Sequence, residues 1–195
     1  MSAVSSTFRT PKAALFAYIA AILFAIHLFT YFVPVLRDAT GLTFPIVAEL
    51  MALLAVAEHL CLFPVLEALP APRWARYAGY GWLVIDIATN IMQLNGTPQS
   101  SYLPLRYGGH ISAALWIIAA SWQMQGAIRV IGIILAVDLV FYSFIAFVPL
   151  AFLILLPSLV LLPLWLALVG RVLATNATDQ LEDTKTQESS ISTPV

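Results

Sequence analysis

The chain has 195 residues, of which 61% are hydrophobic and 10% charged, against about 45–50% and about 25% in an ordinary soluble domain; that excludes a water-soluble globule. Nine basic and ten acidic residues give a formal net charge of -1, which leaves no basic field to hold nucleic acid. Cys61 is the single cysteine and has no intramolecular disulfide partner, and no Cys/His spacing suits structural zinc.

An all-α polytopic membrane protein remains, with the lipid bilayer as its first partner. A helix needs about 20 apolar residues to cross a hydrocarbon layer of about 30 Å, because only intrahelical bonding satisfies a backbone away from water. Six stretches qualify, at 13–36, 45–66, 76–94, 107–124, 127–147 and 151–173. Residues 1–12 precede them as a cytoplasmic segment. Ala13 to Leu36 is uncharged over 24 residues, longer than the apolar core of about 7–15 in a signal peptide, so it reads as a retained span. Asp38 and Gly41 mark the break between Arg37 and Thr43. Pro70 and Pro72 mark the next, and Gly96, Pro98 and Pro104 a polar loop from Asn95 to Arg106. Val148, Pro149 and Leu150 alone join the last two spans. Residues 174–195 are polar, Ser/Thr-rich and carry four acids, the composition of a disordered tail.

Basic residues orient the bundle. With the N-terminus in the cytoplasm, seven lie inside (Arg9, Lys12, Arg73, Arg76, Arg129, Arg171 and Lys185) and two outside (Arg37 and Arg106); both termini are then cytoplasmic. Trp74, Tyr77, Trp122 and Trp165 fall near inner ends of spans and Tyr31, Tyr102 and Tyr107 near outer ends, where interfacial rings anchor helices.

Four acids lie within spans: Glu49, Glu58, Asp86 and Asp138. An ionised carboxylate at the bilayer centre costs roughly 2.5–3.5 kcal/mol even on the mild insertion scale, so each needs a partner, a proton or a purpose. Asp86 and Asp138 sit near the middle of their spans, with no Lys or Arg at that depth. Gly79, Trp82, Thr89, Asn90 and Gln93 fall within roughly 60° of Asp86 around the helix, one polar stripe that must face protein or water. Tyr142 stands one turn beyond Asp138. Facing each other, the two aspartates would share a proton, and Glu58 would join them as a third acid; the alternative is that they only hydrogen-bond helices together. His59, roughly 100° from Glu58, then points toward a neighbouring helix or the inner interface. Glu49, near an outer end, reaches for the headgroups.

The three histidines, His27, His59 and His110, lie at different depths, which argues against a bis-histidine haem; no cofactor is implied. His27, Glu49 and His110 near the outer face form a weak transition-metal candidate. Pro157, Ser158 and Pro163 interrupt the last span, as in the broken helices that transporters use at substrate sites. Gly132 with Ala136 and Ala75 with Gly79 are small-residue pairs that allow helices to approach.

From Gly126 to Val172 the chain resembles a family of uncharacterised bacterial inner-membrane proteins of unknown function. The resemblance rests on Arg129, Gly132 and Ile133 entering one span and on Leu164, Trp165, Leu166 and Gly170 closing a proline-containing last one. It departs at Pro163, where an acid is expected, and it implies a bacterial inner-membrane location without an activity.

These features point first to a proton-linked carrier of a small cationic or polar solute, with Asp86, Asn90, Asp138, Tyr142 and Glu58 as its site. An intramembrane enzyme acting on a lipid or isoprenoid through a protonated acid is the alternative, and a structural or sensory subunit without chemistry a third. A polar path from both faces would favour the carrier, a closed aromatic pocket around an acid the enzyme. Reporter fusions after Lys12, Ala71 and Val195 are expected to read cytoplasmic and those after Thr40 and Ser100 exterior; an exterior C-terminus would overturn the span count.

Overall fold

The computed structural model describes residues 10–33, 45–145 and 151–191, with side chains from 11 to 178 except Tyr31, Gln99 and residues 151–154. The described residues form helices only: α1 (Thr10–Tyr31), α2 (Pro45–Ala68), α3 (Arg73–Leu94), α4 (Gln99–Trp122), α5 (Ala127–Ile145) and α6 (Ala151–Ile191). The break at 37–43, the link at 148–150 and the chain ends at 1–9 and 192–195 lie outside the described residues.

Short connections set the order. Asn95, Gly96 and Thr97 end α3: the Gly96 N–H donates to Gln93 and the Thr97 N–H to Met92, closing the last carbonyls of the helix, and Gly96 adopts φ 73°, a conformation open to glycine without strain. Pro98, extended at φ -56° and ψ 140°, then admits α4. Prolines at the helix edge lack an N–H where none is needed, and Pro72 does the same for α3. Composition reads Asn95 to Arg106 as a polar loop, but α4 begins at Gln99 and Arg106 lies inside it. At the other end of the chain, α6 stays helical through Ile191, beyond residue 173 where composition draws a disordered tail; no glycine or proline after Gly170 breaks that stretch.

Each helix packs on its neighbours in sequence, and α6 returns to pack on α1. The six therefore close into a ring. Close approach of backbones makes the closure possible. At Gly132 of α5 an added methyl would overlap the Ser121 hydroxyl of α4 and stand 2.6 Å from the Trp165 nitrogen of α6; at Gly79 of α3 it would stand 2.5 Å from Leu66 of α2 and 2.9 Å from Trp116 of α4. Gly170 of α6 lies under the ring of Tyr18 of α1, beside a buried alanine stripe at 13, 14, 17, 20 and 21.

Polarity is inverted relative to a soluble protein. Leu15, Ile22, Phe29, Leu53, Val84, Val137 and Phe144 are exposed on the outside, whereas Glu58, His59, Asp86, Thr89 and Asn90 are buried within. Four helices, at Pro11–Thr30, Pro45–Ala68, Ala127–Ile145 and Leu155–Thr178, are long and apolar enough to cross a membrane. Trp74, Tyr77 and Trp122 are exposed near helix ends, but Trp165 and Tyr102 are buried, so neither of these two rings is an interfacial anchor. Three indoles cross the interior instead: Trp82 and Trp116 have centroids 5.9 Å apart, and Trp116 meets Trp165 edge-on at 5.6 Å.

Gly132→Ala is expected to destabilise the bundle by about 1–3 kcal/mol, the usual cost of overfilling a packed site. Gly81→Ala, with nothing within 4 Å of the added methyl, is expected to be neutral or to gain up to about 1 kcal/mol from helix propensity. Thermal melts of the two detergent-purified variants, compared with wild type, check the contrast; equal melting temperatures would mean that α4, α5 and α6 do not close on Gly132.

Candidate functional site

A cavity of about 470 Å³ occupies the ring's interior, with residues from all six helices on its wall. It reaches from the middle of α2 and α3 to the last turns of α1 and α5 and the first half of α4 and α6. Its polar side comes from α2, α3 and α4, its apolar side mainly from Leu139, Leu155, Leu159 and Leu162 of α5 and α6.

Two imidazole–carboxylate pairs stand on α2. Glu58 and His59 are roughly 100° apart on the helix, yet both reach the cavity because α2 has a neighbour on each side of the ring. Glu58 Oε1 is 3.0 Å from Nδ1 of His27 on α1. His59 Nε2 is 3.0 Å from Asp86 Oδ2 on α3. The sequence pattern points Glu58 at Asp86 and sends His59 elsewhere; in the fold His59 takes that place and Glu58 turns to α1. The nearer contact between the pairs is 3.8 Å, from Glu58 Oε1 to His59 Nδ1.

The second pair is held on every side. His59 Nδ1 lies 2.6 Å from the Ala55 carbonyl, which can only accept, so this nitrogen carries a proton and the tautomer is set. Trp82 Nε1 donates to Asp86 Oδ2 over 2.6 Å, one turn along the predicted stripe. Thr89 and Asn90 donate to the Asp86 carbonyl at 3.0 and 2.8 Å. Asp86 Oδ1 lacks a hydrogen-bond partner among the described residues; a methyl on Gly109 of α4 would approach it at 3.4 Å, so that glycine lets α4 pass close to the carboxyl.

Arg106 supplies a cation the composition-based spans leave outside. Its Nε donates to Thr89 at 3.2 Å and its Nη2 to Asn90 at 3.0 Å, while both Nη atoms reach Gln93 at 3.4 Å. The side chain thereby ties α4 to the polar stripe of α3 and lines the cavity. An arginine two turns into a helix that begins after a proline, level with Asn90 and Gln93 on the preceding helix, is the signal that would have found it. Beside it, Tyr107, His110 and Tyr142 form a ring cluster, with Tyr142 5.6 Å from Tyr107 and 5.7 Å from His110. Tyr107 is thus a wall residue of the cavity rather than an interfacial anchor.

Of the sequence-predicted residues, Asp86, Asn90, Glu58 and Tyr142 line this cavity and Asp138 does not. Asp138 is half-buried, accepting the Ser158 backbone N–H at 3.0 Å and the Ser158 hydroxyl as well. Pro157 disturbs the preceding turn of α6, and the carboxyl of α5 takes up the polar groups next to it. The two aspartates are therefore partnered separately rather than with each other. His27, Glu49 and His110 are not assembled either: Glu49 is exposed and His27 pairs with Glu58, and no group of three His, Cys, Asp or Glu among the described residues is placed to hold a metal ion.

No protein-family model, curated protein or solved structure matches this chain.

Asp138→Asn keeps an acceptor for Ser158 and is expected to melt near wild type, whereas Asp138→Leu strands two buried donors and is expected to cost about 1–3 kcal/mol. Melting the two purified variants decides between this fixed role and a catalytic or titrating one: a stable Asp138→Leu protein would show that Ser158 does not depend on the carboxyl.

Proposed function

We propose that this chain is a six-span membrane protein, with both termini in the cytoplasm, that carries a small cationic or polar solute in exchange for protons through its central cavity. Four helices meet the length and apolarity of a span on their own. Helices α3 and α4 fall short because Asp86, Asn90, Arg106 and His110 lower their mean hydropathy, yet these residues face the ring's interior, and the outer side of α3 carries Val84 and Ile91. A ring closed through α1 and α6 needs α3 and α4 at the same depth as their neighbours. With Arg106 inside α4, the seven basic residues read as cytoplasmic stand against Arg37 alone, which turns the cavity toward the exterior half of the membrane.

One observation carries the reading: two buried imidazole–carboxylate pairs share one cavity with an apolar wall. Ionisable groups inside a membrane bundle are expensive and mark solute or proton pathways. Here they are arranged to exchange protons with their partners rather than to pair with a fixed cation. The sequence-based pair of Asp86 and Asp138 is replaced in this proposal by Glu58 with His27 and His59 with Asp86.

A second reading, an intramembrane enzyme acting on a lipid or isoprenoid with a carboxyl as proton donor, is favoured by the indoles: Trp82 lines the cavity beside Asp86, and Trp116 and Trp165 continue from it. Both are tested in vesicles containing purified protein and an internal pH dye. Imposing a pH gradient and adding amines, amino acids or polyols in turn is expected to dissipate the gradient for one class, and Glu58→Gln is expected to abolish the response. Folded protein that moves protons with none of these, yet changes the mass of an added isoprenoid or phospholipid, would replace the carrier by the enzyme.

A further inference from the structure

Among the described residues on the cavity wall, Arg106 alone carries a charge that no change of protonation removes. It is half-buried, it lies over the Tyr102 ring at 5.4 Å, and its hydrogen-bond partners, Thr89, Asn90 and Gln93, are all neutral. No carboxylate among the described residues is within ion-pair distance of it: the pairs there are His27–Glu58, His59–Glu58 and His59–Asp86. A guanidinium has five N–H groups. Arg106 forms four bonds, two of them at 3.4 Å to the single Gln93 oxygen, longer than a good N–H···O bond of about 2.7–3.2 Å. One N–H of Nη1 is therefore left over. A full charge held only by neutral dipoles inside a membrane bundle is costly, and the counterpart that the fork of an arginine matches is a carboxylate.

The opposite demand lies one turn away. Helices α3 and α4 run antiparallel across their short connection, so Asn90 meets Arg106 and Asp86 meets Gly109 at the next rung. Asp86 Oδ2 is taken by His59 and Trp82, while Oδ1 is buried and lacks a partner among the described residues. That oxygen accepts whichever of His59 and Asp86 holds the proton between them. On the other side of His59, Glu58 Oε2 is a second buried acceptor without a partner among the described residues, and both acids line the cavity. Residues one turn apart on a helix face are about 5–6 Å from each other, a separation that an anionic and a cationic group borne on one carbon can span. Leu139, Leu155, Leu159 and Leu162 offer apolar contact on the remaining wall. A cavity of about 470 Å³ is filled by one small molecule rather than by a phospholipid with two acyl chains.

Resting on the carrier reading, we infer that the solute is a zwitterionic α-amino acid with an apolar side chain, its carboxylate on Arg106, its ammonium on Asp86 Oδ1 and its side chain against the leucines of α5 and α6. Such a ligand satisfies both demands and adds no net charge to the interior.

L-leucine is the probe, with isoamylamine as the same skeleton without its carboxylate, isocaproate without its ammonium and L-serine without the apolar side chain. Wild-type protein in phosphatidylcholine nanodiscs is titrated calorimetrically near neutral pH. Leucine should bind, and each counterpart should bind at least about tenfold more weakly, since each lacks one of the three contacts. Arg106→Gln should lower leucine affinity at least about tenfold and bring it down to that of the amine. A merely structural arginine would weaken leucine and amine together and leave their ratio unchanged. That result, no leucine binding, or leucine bound no better than any counterpart would each overturn the inference; the wild-type series decides it even if the variant fails to fold. Phosphatidylethanolamine added to the nanodiscs should leave leucine affinity unchanged, and competitive loss would assign the site to a zwitterionic lipid headgroup instead. Leucine binding in nanodiscs without leucine transport in vesicles would sink the carrier reading and leave the amino-acid site, whereas transport of another class without leucine binding would sink only this inference.

Discussion

A carboxylate placed among apolar helices must find donors inside the protein, and the interior of this ring is organised by how Asp86 finds them. Four side chains from two helices serve its carboxyl and carbonyl: His59 and Trp82 at Oδ2, Thr89 and Asn90 at the main-chain oxygen. Asn90 and Thr89 then present acceptors to Arg106, which extends the same network to α4. Helices α2, α3 and α4 are joined by this one chain of bonds. Breaking it on one side leaves a buried charge or donor without compensation, a cost that exceeds the net value of any single bond.

The remaining closure is steric. The hydrophobic effect contributes little between helices in lipid, so contact depends on fit and on backbones that approach closely. Gly79 and Gly132 sit where indoles and a serine from adjacent helices would collide with any larger residue. The tryptophans that fill the bundle need such small neighbours, and Trp165 spends its N–H on Ser121 at 3.1 Å, so no polar group of that contact is stranded. Polar demand and steric demand meet at Trp82, which donates to Asp86 in the cavity wall and packs on Trp116, the next of the indoles that fill the bundle beyond it.

Separate treatment of the two aspartates follows from the same rule. Asp138 meets the polar groups of Ser158 beside Pro157, a local need next to a proline inside α6, while Asp86 meets an imidazole. Equal depth on a helix does not make two acids partners; what faces each across the gap does. The consequence is that two of the cavity's ionisable groups stand side by side on α2, where Glu58 turns to α1 and His59 to α3 around one cavity.

Apolar run lengths and proline and glycine punctuation were enough to read an all-helical chain, because a helix hidden from water must satisfy its own backbone and its length is a local property. The polar stripe through Trp82, Asp86, Thr89 and Asn90 was equally legible, since one helical period places those residues on one face, and burial bears out that this face meets protein. Helix order around the ring was not legible. It decided that His59, not Glu58, faces Asp86, that Arg106 enters the cavity and that Asp138 turns to Ser158. Periodicity tells which residues share a side of one helix, but which neighbour lies on that side depends on the close packing at Gly79, Gly132 and Gly170, and that is settled only when all six helices meet.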